Sequence, residues 1–260
     1  MGNIFPRQPR YEFFDMMHGR PNWSDANILD IGGNRGNLLE DLLDLKLISP
    51  QQYTSLDVDQ MGLDFGESNN PDANWIKHNA FNHAYNTDGK DETPFPFEDE
   101  TFDLVCGYSI YSHTTFKQML FDLIECLRVC KPNGSIAFTV VDDSGIKYFT
   151  EKRAYDNPGK RSVTFEEIRK SKIPDYMYLV DHDLLVDEMY SNTSCDYLVS
   201  IYNIKWLSSY LNKLNIKHKM KFPPQHHVQR TVVINKNEVD NTIEDLQKFY
   251  NNADFLVDLI

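Results

Sequence analysis

A turn that demands residues at ease with positive φ constrains this chain more than any other feature: Asp30-Ile31-Gly32-Gly33-Asn34-Arg35-Gly36. Before it, Ile28, Leu29 and Ile31 make a short apolar run suited to a strand buried in a parallel sheet. After it, Leu38, Leu39, Leu42 and Leu43 recur at helical spacing. The order is strand, turn, helix. Glycines let a ligand approach the backbone without meeting a Cβ, and the amides that open the helix face outward toward it. Asn34 belongs to the residue types that best tolerate left-handed geometry. No Gly-Lys-Ser/Thr follows, so this is not a phosphate loop. Dinucleotide sites and other nucleotide sites share such a turn, which leaves the ligand open at this point.

The chain is 260 residues long, enough for one large domain or a core domain with an insertion. Its net charge of −13 disfavours nucleic acid as a partner, because gripping phosphates requires a positive surface. No apolar run reaches membrane-spanning length, and residues 1–20 lack the basic-then-apolar order of a signal peptide, so no membrane partner and a cytoplasmic location are expected. Cys106, Cys126, Cys130 and Cys195 lie in apolar segments without zinc-type spacing and read as reduced core residues.

The acid followed by a Gly-x-Gly-x-Gly pattern at Asp30, Gly32, Gly33, Asn34 and Gly36, with Asn34 where a glycine is usual, resembles the first motif of class I S-adenosylmethionine (SAM) dependent methyltransferases. Two later stretches strengthen the resemblance. Pro94-Phe95-Pro96-Phe97-Glu98-Asp99-Glu100-Thr101-Phe102-Asp103-Leu104-Val105 is similar to the Pro-Phe and Phe-Asp run ahead of the fourth strand in small-molecule members. Leu127-Arg128-Val129-Cys130-Lys131-Pro132-Asn133-Gly134 is similar to the family's LRVLKPGG stretch.

The resemblance implies an α/β fold: a Rossmann-like, doubly wound, seven-stranded sheet, mostly parallel, with a C-terminal antiparallel hairpin; residues 142–203 break the βα rhythm and are rich in aromatics, which argues for an inserted cap over the active-site edge. The resemblance also implies SAM as cofactor. Divided accordingly, residues 1–26 are a lead-in helix, 27–141 the SAM-binding core, 142–203 a substrate cap and 204–260 the completion of the core. Besides the glycine turn, the resemblance assigns cofactor binding to Asp57, whose carboxylate near the end of the second strand suits the ribose hydroxyls, with Val58 beside it and Asp59 as the alternative carboxylate. Asn79 and Ala80 match the Asp-Ala that holds adenine, with an amide in place of the carboxylate. Tyr108 follows the fourth strand and is expected to line the cofactor, and Arg10 or Tyr11 is within reach of its methionyl carboxylate.

His113 lies just past Tyr108 and is the candidate catalytic base, since imidazole titrates near working pH. Adjacent Asp142 and Asp143 supply too few oxygens for a cation and read as turn and cap residues, so no metal is expected. His226 and His227 point apart on an extended chain and read as loop residues. Between residues 147 and 172 eight Lys/Arg stand against four Asp/Glu, which suggests an anionic substrate such as a phosphorylated metabolite or nucleotide-linked sugar. The expected function is methyl transfer to a small molecule, at oxygen, by a chain for which a homo-oligomer is compatible. Rival readings are a methyltransferase of protein or nucleic acid, a non-catalytic SAM-fold partner subunit and a nicotinamide-dependent oxidoreductase; the last accounts for neither the Pro-Phe and Phe-Asp segment nor a terminal hairpin.

Overall fold

The short apolar runs become strands buried on both sides, as parallel strands must be when helices cover both faces. A computed structural model describes residues 10–82, 85–142, 172–173, 177–181, 198–202, 204–221 and 229–252. The strands are β1 (Ile28–Ile31), β2 (Tyr53–Asp57), β3 (Asn74–Lys77), β4 (Phe102–Gly107), β5 (Cys130–Asp142), β6 (Lys172–Ile173), β7 (Met177–Asp181), β8 (Leu198–Tyr202), β9 (Lys219–Lys221) and β10 (Gln229–Asn235). The helices are α1 (Arg10–Met17), α2 (Asn37–Asp44), α3 (Gln60–Asn69), α4 (Phe116–Val129), α5 (Ile204–Lys213) and α6 (Ile243–Asn251).

Seven strands run in the order β3-β2-β1-β4-β5-β10-β9: the first five are parallel, β10 runs antiparallel to β5, and β9 pairs antiparallel with β10, which is the expected mixed sheet with its closing hairpin. A further antiparallel set, β6, β7 and β8, meets the end of β5 where Val141 and Asp142 pair with Ile201 and Tyr202. The rest of residues 142–203, with Asp143 and Cys195, lies outside the described residues, as do His226 and His227. Asp142 is the last residue of β5 rather than part of a turn, and its carboxylate is 2.7 Å from Arg230 Nε.

Two apolar layers sandwich the sheet. One joins β4, β5 and β10 to α4, α5 and α6 through Phe116, Leu120, Leu123, Leu211 and Leu246; the other joins β1 and β2 to α1 and α2 through Phe13, Phe14, Met17, Leu38 and Leu42. The two stretches that carried the family resemblance meet at Arg128. Its guanidinium donates to the carbonyls of Phe97 (2.7 Å) and Phe95 (3.0 Å), while the Glu125 carboxylate accepts the Phe95 amide at 2.8 Å. The Pro-Phe-Pro-Phe turn is thereby tied to α4 just before β4 begins. Cys106, Cys126 and Cys130 are free and buried, and no helix among the described residues is long and apolar enough to cross a membrane.

Trp75 on β3 is wedged between the start of α2 and the side of α3. A Cβ at Gly66 in α3 would stand 2.2 Å from its ring, and one at Gly36 2.6 Å. Alanine is the better helix former by about 1 kcal/mol, yet overpacking against a fixed ring costs about 1–3 kcal/mol. Gly66→Ala is therefore expected to lower the thermal midpoint by several degrees; an unchanged or raised midpoint in calorimetry would show that Trp75 can move aside.

Candidate active site

The glycine turn is held from below and from the side. Gly32 (φ +66°) donates its amide to the Leu56 carbonyl at 2.8 Å, and Gly36 (φ +83°) starts α2 in the left-handed region. Asn34 takes φ +49°, as its residue type allows, and its amide donates to Asp57 Oδ2 at 2.7 Å. The other oxygen of Asp57 accepts the Asp59 amide at 2.7 Å, and Asn34 Nδ2 donates to Asp59 Oδ2 at 3.1 Å. One carboxylate thus joins the turn after β1 to the turn after β2. Burial pushes the Asp57 carboxyl up from its ordinary range, and the amides it accepts pull it back.

A cavity of about 140 Å³ opens at the carboxyl end of β1, lined by Arg10, Phe14, Asp30, Gly32, Gly33, Asn34, Asn37, Leu38 and Tyr108. The Arg10 guanidinium lies over the Tyr108 ring, 3.3 Å from its centre, and the edge of Phe13 supports that ring from 5.3 Å. The start of α1 is fixed to α2, since the Asp41 carboxylate accepts the amides of Arg10 and, at 3.3 Å, Tyr11. Opposite Arg10 is Asp30, buried, with the Tyr53 hydroxyl donating to its Oδ2 at 2.6 Å. Burial raises the Asp30 carboxyl to about 7, although Tyr53 and Arg10 both act to lower it. A cation and a titratable acid therefore share one small cavity at the amino end of a helix, where the helix dipole adds positive potential.

The sequence-derived residues divide into two groups. Asp30, Gly32, Gly33, Asn34 and Tyr108 line the cavity; Gly36 shapes its wall; Asp57 is joined to it through Asn34. Val58, Asn79 and Ala80 follow β2 and β3 along the same sheet edge, outside this cavity. Val58 is half-buried, with its carbonyl accepting Lys77 Nζ. Asn79 is exposed, its carbonyl accepting the Lys90 amide at 2.9 Å, and Asn86 Nδ2 donates to the Ala80 carbonyl at 2.8 Å. His113 is exposed in the turn after β4, whose Ile110 carbonyl accepts the His113 amide at 2.8 Å. A Cβ on Gly32 would stand 2.8 Å from the Ile110 side chain of that same turn. Among the described residues no three His, Cys, Asp or Glu side chains form a metal site.

Sequence reasoning missed Phe14, Asn37, Leu38 and Tyr53. Asn37 and Leu38 were legible as the first residues of the helix after the turn. Phe14 and Tyr53 sit in apolar patterns that say core, and only the folded chain turns them toward Asp30.

Residues 29–138 match a family model described as a methyltransferase domain. Among solved structures, a protein of Pyrococcus horikoshii OT3 is 14% identical with a TM-score of 0.53, the match covering 89% of this chain and 96% of that one. A SAM-dependent methyltransferase of Methanosarcina mazei is 16% identical with a TM-score of 0.53, covering 84% of this chain and 95% of that one. At such identities these likenesses establish the fold.

The Asp30 carboxyl carries a pH signature. It titrates near about 7 in the folded protein against 3.8 ordinarily, so the native state holds the extra proton and loses stability as pH rises between those values. Asp122, also buried and raised to about 7, adds a second contribution of the same sign. The denaturation midpoint of Asp30→Asn should gain on the wild type from pH 4 to 7, with Asp30→Asn/Asp122→Asn gaining more. A constant difference across that range would mean that Asp30 ionises normally in the fold.

Proposed function

From the premise that this chain carries a class I SAM-dependent methyltransferase domain and is an enzyme using SAM, we propose that it methylates a small molecule, at oxygen. The observation that carries the cofactor half of this reading is the pairing of Arg10 and Asp30 across one cavity under the amides of the glycine turn. That donor set fits a free amino acid end: Arg10 suits an α-carboxylate, and Asp30, once ionised, an α-ammonium. When bound, SAM supplies a methyl group already activated by a sulfonium.

In this reading Arg10 and Asp30 hold the methionyl end, Gly32, Gly33, Asn34 and Gly36 let it lie against backbone, and Tyr108 fixes Arg10. Asp57 uses its remaining lone pairs for the ribose hydroxyls, with Val58 beside it; each oxygen already accepts one amide and has room for another donor. Asn79 and Ala80 bound the adenine, and Asn86 braces that loop. The protein's main contribution to rate is to hold the acceptor in line with the methyl carbon and exclude water. The bound cofactor would supply the methyl group to the acceptor oxygen, and an imidazole nitrogen of His113 would take the hydroxyl proton.

A small acceptor suits the net charge of −13, which opposes broad contact with nucleic acid. A phosphorylated or nucleotide-linked sugar is the class favoured by the basic run between residues 147 and 172.

Calorimetry with SAM and S-adenosylhomocysteine is expected to show one site per chain. Removing the Asp57 carboxylate takes away charge-assisted bonds worth about 1.5–3 kcal/mol, so Asp57→Ala should weaken binding about tenfold or more. Between pH 6 and 7 affinity should rise and protons should be released on binding, as a buffer-dependent enthalpy that Asp30→Asn abolishes. Absence of binding by the wild type would remove the cofactor assignment; unchanged affinity in Asp57→Ala would remove only the ribose site.

A further inference from the structure

We propose that the Gln229–Thr231 end of β10 recognises the methyl acceptor, and that it takes a compound presenting a neutral N–H or O–H donor to the Gln229 carboxamide oxygen. The inference rests on the transferase reading above and adds the side from which the acceptor is held.

Strand β10 runs antiparallel to β5, with Gln229 opposite Val141 and Thr231 opposite Thr139, so its beginning lies at the same sheet edge as the ends of β1, β4 and β5. Gln229 and Thr231 are two residues apart and share a face of the sheet. They are buried, 9% and 0% exposed, and among the described residues neither Gln229 Oε1 nor Thr231 Oγ1 has a hydrogen-bond partner. Buried polar atoms are nearly always satisfied, so two such atoms side by side mark a place completed by a bound group.

The orientation of the Gln229 amide follows from its neighbours. Ser109, with φ +59°, directly follows Tyr108 of the cofactor cavity, and its amide donates to Thr139 Oγ1 at 2.7 Å. The Ser112 hydroxyl donates to the Ser109 carbonyl at 3.1 Å, which leaves Ser112 Oγ, 3.3 Å from Ser109 Oγ, to accept the Ser109 hydroxyl. Ser109 Oγ then accepts from Gln229 Nε2 at 2.9 Å. The carboxamide nitrogen is committed to the turn beside the cofactor, and the oxygen remains as an acceptor. Arg230, between the two, projects to the other face and pairs with Asp142 at 2.7 Å. Its charge is neutralised there, so the recognition is that of a neutral donor rather than an ion. Gln229 takes no proton; its role is to position and select.

The test uses the full-length protein saturated with S-adenosylhomocysteine and matched small probes read by competition NMR: phenol against anisole, benzyl alcohol against its methyl ether, and aniline against dimethylaniline. In each pair the member with a free donor is expected to bind about tenfold tighter, the worth of one hydrogen bond. Gln229→Met should bring the pairs to parity while binding S-adenosylhomocysteine within twofold of the wild type. Ser109→Gly, which suits the positive φ and releases the amide, should erode the preference about threefold and serves if Gln229→Met does not fold. A preference that survives both substitutions overturns the proposal, as does the absence of any donor probe from the loaded protein. A crystal structure with an ordered water on Gln229 Oε1 and Thr231 Oγ1 that donor probes never displace also overturns it. Failure of the wild type to bind S-adenosylhomocysteine is seen before any probe is added; it removes the transferase reading and this inference together.

Discussion

The Asp57 carboxylate is the joint on which the site turns. Its two oxygens accept one amide from the glycine turn and one from the turn after its own strand, so two crossovers that are separate in sequence become one rigid rim. Hydrogen bonds to a charged group contribute about 1.5–3 kcal/mol each, enough to keep the acid seated despite the burial that works against its ionisation. With the rim fixed, Asn34 keeps its left-handed backbone and the amides at the start of α2 stay aimed at the cavity.

Packing behind the rim gives it something to push against. Trp75 fills the space that Gly36 and Gly66 leave open, and it also binds the Asn70 carbonyl through its indole nitrogen at 3.0 Å. On the far side, Arg128 and Glu125 gather the Pro94 to Phe97 turn and so set where β4 enters the sheet. The end of β4 then delivers Tyr108 to Arg10 and Ser109 to Gln229. In the proposed reading, cofactor and acceptor recognition are built on consecutive residues of one strand end, one reaching toward α1 and the other toward β10.

Much of this was legible in the sequence where a local pattern decides the outcome. The turn from Asp30 to Gly36 reads as strand, turn and helix because apolar spacing and glycine placement agree, and α4 falls on Phe116–Val129 as its periodicity requires. Boundaries set by partners were less legible. The third strand ends at Lys77, because beyond it Asn79 bonds to Lys90 of a local loop instead of continuing the sheet. The fifth begins at Cys130, because Phe102 pairs with it across an irregularity that the Lys131-Pro132-Asn133-Gly134 pattern presents as a plain turn. Pairings between distant residues left no trace at all. Tyr53 reaches Asp30 across 23 positions, and Gln229 reaches Ser109 across 120. His18, half-buried just after α1, is held in the same way: burial lowers it to about 3, and it bonds to Ser135, 117 positions away, at 2.5 Å.

The central claim is that the rim around Asp57 and the cavity beside Arg10 together hold one adenosyl amino acid. The most direct measurement is a crystal structure of the protein with S-adenosylhomocysteine. The account predicts the ribose hydroxyls on the Asp57 carboxylate and the α-carboxylate on Arg10, with Asn34 unchanged in φ. A ligand bound elsewhere on the chain, or one at this edge with neither Asp57 nor Arg10 in contact, would contradict it.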